Sequence, residues 1–507
     1  MSTQCNTRCK FPEECTPIRL QYPSMKLCAS SPFSIVLFGA SGHLARLKIY
    51  PALYTLFATG RLPKHFAIVG FSRSDMNDEA LRALVAEAIR QNEPEPDEGG
   101  ISAFIAHCFY QQGQYDEAAS FAAMRERLQQ IEQKWSSVIR LAYFSVPPAV
   151  FAPIAQNLCK SGVHETGVPF RCIVEKPVGH DSRSFREMKE TLLSCFMEEE
   201  IFLLDHYMGK EAVRNTYYLR YANPVLERLF KHTLIRSVEI TAAEQNGIEQ
   251  RAGYFENTGT FRDMFQSHLL MVMSLLTMRI GEESGGLRAG RMQALGALYL
   301  PPATSMDDIV LQGQYGAGSI RKEHVRGYCE EDGVAADSRT NTFAAMRIMS
   351  RASHWAGVPF FLRSGKRLQK KETRISILFQ EPHKIGKDSK PNCLHIILQG
   401  EAGIRLELQT KMGGTEPCFR PLILSDPLVC MGDCLPEHGL LLLEAIHGKQ
   451  QWFASFEEIQ IAWRLIDPVQ KHLERNETPL HTYPAGSNGP DALDAWIAQD
   501  GVAWMEI

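Results

Sequence analysis

The 507-residue chain has no uninterrupted apolar stretch long enough to cross a bilayer, which takes about 20 residues, so no membrane span is expected. Met1 to Met25 contains no apolar segment of the secretory-leader kind, and no leader is expected. Thirteen cysteines, an odd number, lie scattered. Cys5, Cys9, Cys15 and Cys28 crowd the start, but their spacing fits no paired metal-ligand pattern and no histidine pair accompanies them. That argues against a zinc site or a disulfide framework and for free thiols in a reducing compartment. A cytoplasmic protein is expected. An excess of one charge is missing as well: 54 Lys and Arg face 58 Asp and Glu, a formal charge of -4. Nothing in that balance signals nucleic-acid binding, and any cationic site must be local. There is no internal repeat and no low-complexity segment.

A 44% hydrophobic and 22% charged composition suits a folded chain, and its length exceeds what one core usually serves. We expect an irregular extension over residues 1–30, a dinucleotide-binding Rossmann-type domain over 31–205, and an α+β domain over 206–507. Phe33–Phe38, Phe66–Gly70, Arg140–Val146 and Phe170–Val174 are short apolar runs of the kind found in buried parallel strands. Helical patterns separate them at Leu44–Leu56, Asp78–Arg90 and Glu117–Gln133, which implies an α/β sheet with helices on both faces. After Asp205 longer strand candidates follow in closer succession: Ile235–Ala242, Thr373–Phe379 and Cys393–Leu398. They predict a large, mainly antiparallel sheet. Asp263–Arg279 has helical periodicity, and its Met and Leu residues read as core.

Gly39-Ala40-Ser41-Gly42-His43-Leu44 stands at a strand-to-helix turn. Glycines there let a pyrophosphate approach the N–H groups at the helix start. The spacing is short of the full G-x-G-x-x-G and is weak by itself. A second strand ends near Arg73, whose fork suits a 2′-phosphate better than a free ribose hydroxyl does. Asp75, two residues on, leaves NAD open as an alternative to NADP.

The most informative run is Leu204-Asp205-His206-Tyr207-Met208-Gly209-Lys210, read with Arg262-Asp263 and His268. It gathers an imidazole base, a carboxylate to hold it, and cations and donors for a phosphate. If the run is helical, His206 and Lys210 share one face; in isolation a helix start with a solvated lysine explains them equally. Lys366 to Lys371 reads as a charged loop before a strand, ordinarily a solvated face. No set of His, Asp and Glu stands at metal-ligand spacing.

The run from Leu204 closely resembles the RIDHYLGKE signature of the glucose-6-phosphate dehydrogenase family. Gly39-Ala-Ser-Gly-His-Leu-Ala45 resembles GASGDLAxxK, with His43 where the family carries Asp. Arg262–His268 resembles RDVMQNHLLQ, Glu175-Lys176-Pro177 resembles EKPxG, Gly365–Lys371 resembles GKxLxxK, and Val146-Pro147-Pro148 resembles ALPP. Further similarity, at Gly253-Tyr254-Phe255, Trp355–Phe360 and Tyr483–Pro490 among others, extends it from about Ser34 to the end of the chain. The resemblance implies oxidation of glucose 6-phosphate to 6-phospho-glucono-1,5-lactone with NADP as coenzyme, by a homodimer or homotetramer. It implies His268 as general base oriented by Asp205. It implies Lys176, His206, Tyr207, Lys210, Glu244, Asp263, Lys366 and Lys371 around the sugar phosphate. For the coenzyme it implies Gly39, Ala40, Ser41, Gly42, His43, Leu44, Arg46, Lys48, Arg73, Pro147 and again Lys176. Two other readings stay open: a dehydrogenase of another phosphorylated hexose, and a catalytically silent dinucleotide-binding regulator, for which His43 is the only feature.

Overall fold

The computed structural model describes residues 31–165, 167–281, 286–382, 389–428, 430 and 434–505. The extension expected over 1–30, with its four cysteines, lies outside them. No helix among the described residues is long and apolar enough to cross a membrane.

Six strands form the first sheet: β1 (Phe33–Phe38), β2 (Phe66–Ser72), β3 (Cys108–Gln112), β4 (Ile139–Phe144), β5 (Phe170–Glu175) and β6 (Ile201–Leu204). Their order is β3-β2-β1-β4-β5-β6, all parallel. Helices cover both faces, so β1 is buried at all six positions, which is why it reads as an unbroken apolar run. The order reverses at β1, and ligands of such sheets bind outside the carboxyl ends there. The expected strands and helices are present. The sequence reading did not name β3 and β6: one is a half-buried edge, the other only four residues long.

The second sheet has ten strands. In chain order the remaining strands are β7 (Ile235–Ala243), β8 (Leu298–Tyr299), β9 (Val310–Gly316), β10 (Gly318–Ile320), β11 (Glu323–Val325), β12 (Phe343–Ser350), β13 (Phe360–Gly365), β14 (Glu372–Phe379), β15 (Cys393–Gln399), β16 (Gly403–Lys411), β17 (Phe419–Pro427) and β18 (Leu480–Pro484). The sheet runs β17-β16-β15-β14-β7-β13-β12-β9-β18, with β8 beside β12, while β10 and β11 form a separate hairpin. It is mainly antiparallel as expected, but β7–β13 and β9–β18 pair parallel, so the sheet is mixed.

A late segment of the chain packs against the first sheet and against the helix Leu287–Gly296. The Ala454 amide donates to the Leu203 carbonyl of β6 at 3.0 Å. In the helix Phe456–Leu473, Glu458 is fully buried and receives Arg291 Nε at 2.9 Å, while the same guanidinium donates to the carbonyls of Gln451 and Phe453. Removing one partner of such a pair leaves a buried charge uncompensated, at about 3–5 kcal/mol. Arg291→Met should therefore lower stability by about that much, read as a fall in the urea midpoint; a midpoint like the parent's would disprove the pair's structural importance.

Candidate active site

The carboxyl ends of β5 and β6 and one irregular helix converge beside the β1 turn. Asp205 follows β6 directly and caps the short 3₁₀ turn His206–Gly209, its Oδ1 accepting from the Tyr207 amide at 2.9 Å. The same oxygen lies 2.6 Å from His268 Nδ1. That bond fixes the tautomer, with the proton on Nδ1 and the lone pair on Nε2. Lys176, just past β5 and joined to Pro177 by a cis peptide bond, places Nζ 2.6 Å from His268 Nε2 and donates to the Asp263 carbonyl at 2.7 Å.

His268 and Asp263 reach one lysine because Phe261–Leu269 is wound as a π-helix before the α-helix Leu270–Thr277 begins. Widened turns of this kind are frequent at functional sites. The helical expectation over Asp263–Arg279 holds in position; its first two turns are wider than the 3.6-residue pattern shows.

Burial lowers the His268 pKa, and Lys176 adds to the effect, while Asp205 opposes it. The imidazole is thus neutral and able to accept a proton near pH 7. Burial alone would raise the Asp205 pKa; His268, Lys176 and the Tyr207 amide outweigh it, and the carboxyl stays ionised below its ordinary value. Asp205 Oδ2 is buried with no hydrogen-bond partner among the described residues. Asp263 is likewise held down to about 2, because Lys176 and Lys366 overcome its burial.

A cationic pocket adjoins the base. The Tyr207 ring stacks on His268 with centroids 4.2 Å apart, and Lys210 Nζ sits 3.6 Å over the centre of the Tyr207 ring while donating to Gln399 Oε1 at 3.0 Å. Burial brings Lys210 down to about 8. His206, packed edge-on to His268 at 4.6 Å, is held well below the usual histidine range by burial and by the nearby His268, Lys176 and Lys210. Lys371 is exposed at the rim, near enough to act on Lys210. His206 and Lys210 are brought together, but by the 3₁₀ turn; the helix begins only at Glu211. On the other side Lys366 Nζ donates to Glu244 Oε2 at 2.5 Å and lies 3.9 Å from Asp263 Oδ2.

The glycine turn faces this group from β1. Gly39 has φ +80°, and a Cβ there would meet the Ser145 carbonyl oxygen at 2.3 Å, so only glycine fits. Tyr50 holds the turn by donating to the Ala40 carbonyl at 2.9 Å, and Ser41 Oγ lies 3.0 Å from Ser74 Oγ. His43, Arg46, Arg73 and Pro147 are exposed around it, Leu44 is half-buried, and Lys48 pairs with Glu437 at 3.4 Å. A backbone cradle rimmed by exposed cations fits a dinucleotide phosphate.

Sequence reasoning missed Gln399, Ser267, Tyr254 and Thr373. The first two contact Lys210 and Lys176, and the last two contact Asp263 and Tyr207. Gln399 and Thr373 come from strands far along the chain, and no local pattern marks them. Asp205, His206 and His268 also bring three donor atoms within 4.8 Å. Asp205 and His268 already share a hydrogen bond, and an ammonium holds the other imidazole nitrogen, so the trio is an acid–base unit with cationic neighbours.

The sequence profile of the glucose-6-phosphate dehydrogenase NAD binding domain matches residues 36–215, and that of the C-terminal domain matches 217–505. Glucose-6-phosphate 1-dehydrogenase of Bacillus subtilis is 33% identical over 93% of this chain and 98% of its own length. The spinach chloroplastic enzyme is 33% identical over 94% of this chain and 84% of its own. A solved glucose-6-phosphate dehydrogenase in complex with glucose-6-phosphate superposes with a TM-score of 0.86 at 30% identity, covering 94% of this chain and 99% of that one. With both halves of the chain matched and the fold shared over 94% of it, this protein belongs to the glucose-6-phosphate dehydrogenase family.

Proposed function

We propose that the chain oxidises glucose 6-phosphate to 6-phospho-glucono-1,5-lactone, using NADP, with His268 as the base. The observation that carries this is the 2.6 Å contact of buried His268 with Asp205, its other nitrogen facing the Lys176 ammonium.

In this reading His268 Nε2 takes the proton of the anomeric hydroxyl as the C1–H electron pair leaves as hydride and the C=O bond forms. Nicotinamide, when bound, accepts that hydride. Asp205 keeps the lone pair on Nε2 and stabilises the imidazolium that forms. Lys176 yields Nε2 to the sugar hydroxyl and then stands between the sugar and the coenzyme. His206, Tyr207, Lys210 and Lys371 bind the phosphate dianion through charge-assisted hydrogen bonds. Asp263, kept ionised by Lys176 and Lys366, and Glu244 accept from sugar hydroxyls; an epimer would leave one of these acceptors unpaired. Gly39 to Leu44, Arg46, Lys48 and Pro147 hold the coenzyme, with Arg73 on its 2′-phosphate. The chain divides at Asp205, between the two bodies that supply these groups. A second copy covers part of the large sheet, where Leu422, Ile423 and Leu424 of β17 are 38%, 48% and 51% exposed, and gives a homodimer or homotetramer.

His268→Asn should cut kcat about 10²–10⁴-fold, the usual worth of a positioned base, with KM for the sugar phosphate nearly unchanged; near-normal turnover would reject the assignment. Because only the protonated Lys210 amine pairs with a phosphate dianion, kcat/KM should fall as pH rises through about 8. Lys210→Arg, with a guanidinium that stays charged, should abolish that alkaline limb, and a limb that persists would acquit Lys210. Arg73→Ala should reduce the NADP-over-NAD ratio of kcat/KM about 10–100-fold, the worth of a charged hydrogen bond. An unchanged ratio, measured with both coenzymes side by side, would remove Arg73 from coenzyme choice.

A further inference from the structure

We propose that the large sheet carries a transition-metal site of the zinc class, built from Cys393, His395 and Glu407 and separate from the reaction centre. Alternate residues of a strand share a face, so Cys393 and His395 project together from β15. Glu407 of β16 lies directly across from Cys393 in the antiparallel register. One sulfur, one imidazole nitrogen and one carboxylate oxygen thereby come within 4.8 Å of one another. Donors bound to one tetrahedral zinc lie roughly 3.5 Å apart, given bonds of about 2.0–2.3 Å. Small side-chain rotations on fixed strands close that difference.

Two arginines, Arg374 and Arg405, stand near His395, so the ligand charges must outweigh them. His395 is buried, and its Nδ1 is 2.9 Å from Ser376 Oγ on β14, which leaves Nε2 directed at Glu407 Oε1, 4.0 Å away. A partner on the far nitrogen that sets the ring is the usual support of a histidine ligand. A divalent ion with one thiolate and one carboxylate sums to zero charge, so the filled site adds no net charge to a half-buried position. Arg405 holds Glu407 Oε1, with Nη2 at 2.7 Å, and so becomes an outer partner of the ligand. Cys393 and Glu407 are only partly buried, so an ion can reach the site from outside. Cys-x-His is the sequence sign of the pair; the third ligand comes from the next strand, and only the register reveals it.

The test is a Co²⁺ titration of the full chain, kept reduced with a non-chelating phosphine and followed by near-ultraviolet absorption, with Zn²⁺ as competitor. The expected result is a sulfur-to-cobalt charge-transfer band that saturates near one ion per chain and disappears in Cys393→Ser. His395→Gln and Glu407→Gln should each weaken Zn²⁺ binding at least about tenfold. Dehydrogenase turnover reports that the variants are folded. If a variant loses turnover, X-ray absorption of the zinc-loaded parent replaces it, with one sulfur and one imidazole expected in the first shell. The proposal is overturned by no band in the parent, a band undiminished in Cys393→Ser, unaltered affinity in the other two variants, or an all-sulfur shell. None of these outcomes bears on His268.

Discussion

Everything at the reaction centre rests on one buried hydrogen bond, from His268 Nδ1 to Asp205 Oδ1. Its two ends belong to different structural worlds, one at the carboxyl edge of a parallel sheet and the other on a helix packed beneath a mixed sheet. Burial by itself would make Asp205 a neutral acid and strip His268 of basicity. Together they settle otherwise: the carboxylate stays charged because the imidazole and the Lys176 ammonium face it, and the imidazole stays neutral because it is enclosed. The low dielectric around them gives the pair its strength.

A second theme is the concentration of positive charge in a chain whose total is slightly negative. Lys176, Lys210 and the Lys366–Lys371 segment come from three separated stretches, and the fold brings them together, where each lysine except the one at the rim has an acidic, aromatic or amide partner. Lys210 on the Tyr207 ring and Lys366 on Glu244 are held in place by these contacts. Under the proposed function, an incoming dianion would meet donors already oriented, with less ordering left to be done on binding.

Much of this was legible in the sequence. β1, β2, β4 and β5 are buried on both faces and leave continuous apolar runs; β3 and β6 are too polar or too short to do so. The run from Asp205 to Lys210 is contiguous, and the resemblance it carries pointed to residues that the fold does assemble. What stayed hidden is what depends on geometry beyond neighbours. The π-helical winding at Phe261–Leu269 does not alter residue spacing enough to notice. Gln399 supports Lys210 from 189 residues away, and the parallel pairings of β7 with β13 and of β9 with β18 arise from long crossovers that composition cannot show.

The bridge from Ala454 to Leu203, and the Glu458 carboxylate that meets Arg291, have a bearing on biosynthesis. Translation delivers the glycine turn, Asp205 and His268 early, but the segment that clasps β6 and neutralises Arg291 leaves the ribosome near the end. A nascent chain interrupted before that point holds Asp205 and His268 and lacks the segment that pairs with β6 and with Arg291. The clasp on the first sheet therefore closes only when nearly the whole chain has been made.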